Sequence, residues 1–113
     1  MRYLSIFRSA SGEESGPPSV EHMQAMGRLI EEMTKSGHLL TTEPLAARER
    51  GARVKREGGE FTVSALTERA GGYALMRADS REEMVELLRK FLDLAGDGEC
   101  EVREIMEFDA PPS

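Results

Sequence analysis

The chain has no tryptophan, one cysteine and two tyrosines, and its apolar residues never run long enough to span a bilayer. A lone thiol, Cys100, excludes an internal disulfide and fits a reducing compartment. A membrane span needs about 18 apolar residues in a row. The opening MRYLSIF, with a single Arg, is too short in its apolar run for a secretory leader. A cytoplasmic location is therefore the expectation. Positive charge is also scarce: 15 Lys and Arg stand against 21 Asp and Glu, giving a net charge of -6. Phosphate binding needs a surplus of Lys and Arg on some face, so neither nucleic acid nor membrane is an expected partner.

What is present fits one soluble domain. At 113 residues with 39% apolar and 32% charged side chains, the chain can bury a single core but not two. Residues 1–108 are expected to form that domain, with 109–113 as a flexible tail. Seven Met against four Phe point to a core filled by flexible side chains.

The pattern along the chain alternates strands with helices. RYLSIF at 2–7 reads as an apolar strand, followed by a Gly-, Ser- and Pro-rich loop. Ser19 stands as an N-cap before Met23, Met26, Ile30 and Met33, which recur at helical spacing with Leu29 beside them; Lys35 and Gly37 mark the end. HLLTTEPL reads as a strand stopped near Pro44. In RVKREGGEFTV, Gly58 and Gly59 can supply the positive φ angles of a two-residue turn, which places Val54 opposite Val63 and Arg56 opposite Phe61. GYALMRA at 72–78 is a further strand. Ser80 and Glu83 form a capping box before REEMVELLRKFLDLA, whose Met84, Leu87, Leu88, Phe91 and Ala95 make one stripe. ECEVREIMEF closes the pattern as a last strand.

This order predicts an α+β fold, a ferredoxin-like β-α-β-(β-hairpin)-β-α-β chain with two helices on one face of an antiparallel sheet. Alternation at Cys100, Val102 and at Tyr73, Leu75 puts apolar groups on both faces of that sheet. The face without helices needs another cover, and a second copy is the simplest, so a homodimer packed sheet to sheet is expected.

MRYLSIF, SGHLL, Glu43 and Leu45 in TTEPL, FTVS before GGYALMRADSREE, and EVREIMEF together resemble the YCII-related proteins, in particular their DGPF-motif branch. The likeness runs over roughly residues 1–108 and rests on the order of motifs that are individually weak. It implies a dimeric α/β-barrel fold. The DGPF signature itself is missing: between the second hairpin strand and Gly71-Gly72 the chain has only SALTERA, in which Thr67 and Glu68 correspond to the family's Thr and following charged residue. The connection is expected to be a plain turn or one helical turn. Some members of the wider family carry a His-Asp pair, but His22 lies about a helical turn from the matching place.

Glu43, at a strand end, and His22 are the candidate catalytic residues, as carboxylate and general base, against ordinary solvated roles for both. Arg48, Arg50 and Glu68 are candidate ligand contacts, the arginines with Arg53 forming a basic cluster suited to an anion or a carboxylate across a dimer. His38 is placed to contact the last carbonyls of the first helix, and Cys100 is read as a core thiol whose acidic neighbours Glu99 and Glu101 raise its pKa. The Met stripe is read as core. No His, Cys or acidic spacing suggests a metal, and no cofactor is implied. Three functions follow in order: a dimeric binding or accessory protein for a small polar ligand, a cofactor-independent enzyme with acid-base residues in a sheet-helix pocket, and, on the resemblance alone, a partner of transcription sigma factors.

Overall fold

The computed structural model describes residues 1–10 and 19–107. The Gly- and Pro-rich loop and the terminal tail expected from the sequence lie largely outside them. The elements are β1 (Arg2–Ser9), α1 (Val20–Lys35), β2 (Leu39–Pro44), β3 (Arg53–Glu57), β4 (Glu60–Ser64), β5 (Gly72–Arg77), α2 (Arg81–Ala95) and β6 (Gly98–Glu104), with a 3-10 turn at Arg48–Arg50. Four strands form a sheet in the order β2-β5-β1-β6, every neighbouring pair antiparallel, and β3 pairs only with β4. This is the ferredoxin-like arrangement with a hairpin inserted before β5.

Local chemistry sets the boundaries. Ser19 Oγ accepts the His22 N–H, satisfying one of the donors that a helix start leaves unpaired. At the other end Gly37, at φ 85°, lets its N–H reach the Thr34 carbonyl while the His38 N–H reaches Met33, the paired bonds of a Schellman end. In α2, Ser80 Oγ accepts the Glu83 N–H. Gly58 and Gly59 both have positive φ, so the hairpin turn twists with its strands, and the register is Val54 opposite Val63 and Arg56 opposite Phe61, as the sequence predicts. Strand β6 ends at Glu104, earlier than the apolar run to Phe108 suggests.

Alternation sorts the sheet into two faces. Tyr3, Ser5 and Phe7 of β1 share a side with Met76, Ala74 and Gly72 of β5 and with Cys100 and Val102 of β6, their cross-strand partners. The core lies here, where Tyr3, Met33, Leu39, Met76, Ala78, Met84, Leu87 and Leu88 are buried and Met84 is fully enclosed. Phe7 meets Phe91 edge to face with centroids 5.1 Å apart. The opposite face carries Leu4, Ile6, Tyr73 and Leu75 among charged neighbours, and neither helix covers it. Apolar groups on both faces are thus as expected, but Val102 belongs to the helix side and is not part of the open surface.

Two glycines test the packing. A Cβ on Gly98 would fall 2.5 Å from the Arg8 carbonyl oxygen and 3.1 Å from Ser9 Cα, whereas one on Gly27, inside α1, meets nothing within 4 Å. Gly98→Ala should destabilise by about 1–3 kcal/mol through overpacking. Gly27→Ala should stabilise by up to about 1 kcal/mol through helix propensity. Urea unfolding of both variants measures this, and equal effects would contradict the placement of β6.

Candidate functional site

A cavity of about 350 Å³ opens between the sheet and α1. Small residues at inward positions of the two central strands form much of its floor: Ser5 faces Ala74 in register, and Gly72 lies opposite Phe7, whose ring also borders the space. Its roof is Met26, Leu29, Ile30 and Met33 of α1, and Leu87, Leu88 and Phe91 of α2 close one side. Floor residues without bulk leave a gap that the helix side chains do not fill, and Met76, further along β5, borders it. The volume is at the low end of small-molecule pockets, about 300–1,000 Å³.

The walls are almost wholly apolar. Ser5 is the one buried polar side chain among the described residues, at 4% exposure. Thr42 Oγ1 donates to the Tyr73 carbonyl. The Met stripe of α1 is therefore less a core than the lid of a cavity: Met33 is buried, Met26 lines the space, and Met23 is 53% exposed.

The candidate residues from the sequence do not converge on this space. Glu43 pairs with Tyr73 across β2 and β5, and their strand ends contribute to the cavity rim, but alternation turns both side chains to the open face. There the Tyr73 hydroxyl donates to Glu43 Oε2 at 2.9 Å. His22 stands in the first turn of α1, away from the cavity. Arg48 donates to the Thr67 carbonyl at 2.8 Å, and Arg50 closes the 3-10 turn. Glu68 lies 3.6 Å from Arg8, a residue that the sequence alone did not single out. Arg48 and Glu68 are thus near one another at the root of the hairpin, where residues 65–71 form an irregular connection with no helical turn.

Two further placements differ from expectation. His38 does not use its ring on the carbonyls of α1; Nδ1 lies 2.7 Å from Ser36 Oγ and Nε2 lies 3.1 Å from Glu83 Oε1, so the ring bridges the end of α1 to the start of α2. Burial pushes the Cys100 thiol up, with a smaller opposing effect from a hydrogen bond to Ser5; Glu99 and Glu101 point to the other face and are not the cause. Cys100 is accordingly a half-buried thiol packed against the core. Among the described residues no three His, Cys, Asp or Glu side chains are grouped to hold a metal, and no helix is long and apolar enough to cross a membrane.

The fold is thus an α+β domain of one four-stranded sheet, two helices and a hairpin, with an open apolar cavity between the sheet and α1. The model of the YCII-related domain matches residues 1–109, so the chain belongs to that family. No curated protein matches it.

The Glu43–Tyr73 pair can be tested directly, because the chain has two tyrosines and no tryptophan to obscure them. The hydrogen bond to Glu43, then burial and the carboxylate charge, hold the Tyr73 phenol above its ordinary value of 10.0. Tyr3 is raised as well, chiefly by burial. A phenol raised in the folded state adds stability that is present below the ordinary value and lost as pH climbs through the folded one. Ultraviolet titration should show two late-titrating phenols, and Glu43→Ala should lower one of them alone. A wild-type phenol at the ordinary value would remove the pair.

Proposed function

We propose that the protein is a homodimeric binding protein for a small, largely apolar and uncharged ligand, held in the cavity under α1. The cavity itself carries this reading: about 350 Å³ lined by Met, Leu, Ile and Phe, with the Ser5 hydroxyl as its buried polar group. An apolar ligand gains from leaving water, about 25 cal/mol per Å² of apolar surface buried, whereas a charged one would lose its hydration with no opposite charge to meet it. The ligand class is therefore less polar than the sequence suggests. Flexible methionines in the roof suit a site that adapts to more than one shape.

The dimer reading rests on the open sheet face. Leu4, Ile6, Tyr73 and Leu75 form an apolar surface on the side away from both helices, and a second sheet laid across it completes a dimeric α/β barrel. The shortened connection at 65–71 is consistent with a DGPF-branch relative that has lost the signature loop.

A second reading, a cofactor-independent enzyme, is favoured by one observation. Glu43 and Tyr73, whose backbone borders the cavity, form a hydrogen-bonded pair on the opposite, open face of the sheet, a carboxylate and a phenol of the kind that can exchange a proton with a substrate bound on that face.

A neutral fluorescent probe such as N-phenylnaphthylamine should bind with enhanced emission. Ile30→Glu, placing a charge at the roof, should weaken binding about tenfold or more. Unchanged affinity in that variant would exclude the cavity. Leu75→Glu should reduce the solution mass from two chains to one by light scattering, while a wild-type monomer would overturn the dimer.

A further inference from the structure

The hairpin is the one part of the described chain that the fold does not use. It leaves the sheet after Pro44 and returns at Gly72, and every residue from Arg53 to Ser64 is exposed. One side of it is nevertheless apolar. Val54 and Val63 face each other, Phe61 is next along, and the three are 66%, 69% and 69% exposed. A hairpin of two strands gains little stability alone, so such a strip needs a surface to lie on. Neither of its strands pairs with the four-stranded sheet.

Charge indicates what that surface is. Five basic side chains and one acidic lie between Arg48 and Arg56, in a chain whose balance is -6. With Glu57 and Glu60 included, the segment Arg48–Ser64 carries five basic and three acidic side chains, a mildly positive arm on an acidic body and so complementary in charge to the body of another copy. Arg56 shares the apolar side with Phe61 and has no ion-pair partner among the described residues. Glu43, on the open sheet face beside Tyr73, meets only the neutral phenol there. By contrast, Glu101 on that face already holds Arg8 and Arg103.

We infer that the hairpin is an arm that clasps a second copy of this chain, laying Val54, Phe61 and Val63 along the β2 edge of the partner's sheet, beside the sheet-to-sheet contact, with Arg56 reaching the carboxylate at position 43 of that copy. The inference rests on the face-to-face dimer proposed above and adds a separate contact to it. An isologous pair would make the contact twice, once for each arm.

Sedimentation equilibrium of the full chain tests it. Wild type should be a dimer; Phe61→Glu should raise its dissociation constant about tenfold or more, and Thr62→Glu, the same change on the wet side of the same strand, should alter it less than about threefold. Arg56→Glu and Glu43→Lys should each weaken the dimer, and the double variant should recover most of the loss. Because the hairpin adds nothing to the core, circular dichroism of the hairpin variants should match wild type. A wild-type dimer indifferent to Phe61→Glu would overturn the arm and leave the sheet interface standing. A wild-type monomer at all concentrations would remove both.

Discussion

Everything in this fold follows from β1 being paired on both sides. With β5 on one edge and β6 on the other, each crossover helix must return its chain to a place next to the central pair. Right-handed crossovers then put both helices over the same face. One face of the sheet receives all of the helical cover and the core, and the other receives none. The cavity, the open apolar surface and the free arm are consequences of that asymmetry.

On the covered face the size of a few inward side chains decides whether the space is filled. Tyr3 and Met76 support the helices at one end of β1 and β5, while Ser5, Ala74 and Gly72 leave room further along. On the uncovered face, Leu4, Ile6, Tyr73 and Leu75 are interleaved with paired charges: Glu101 lies between Arg8 and Arg103, and Glu43 is held by Tyr73. Exposed ion pairs contribute little to folding.

Much of the architecture is legible in the residues because it is set by short-range chemistry. Ser19 and Ser80 cap, Gly37 and Gly58-Gly59 take positive φ, and the stripes of α1 and α2 have helical period. The hairpin register follows from its two glycines alone. The candidate site is far less legible. The cavity arises from which residue of β1 lies opposite which of β5, a pairing 69 residues apart in the case of Ser5 and Ala74. A serine at an inward strand position was the available signal. Glu43 and His22 drew attention by residue type, but alternation directs one to the other face and helix position removes the other. Alternation along β6 fixes two faces without saying which one the helices cover, and it is the register with β1 that places Cys100 and Val102 under the helices.

The central claim is that α1 roofs an apolar ligand site, and the seven methionines report on it. Carbon-13 labelled methionine methyl spectra, recorded while a neutral aromatic probe is titrated in, test it most directly. Met26, Met33 and Met76 line the cavity, whereas Met23 and Met106 are exposed and Met84 is enclosed elsewhere in the core. The account predicts saturable shifts confined to Met26, Met33 and Met76. Shifts spread over Met23 and Met106, or no shifts at saturating probe, would contradict it.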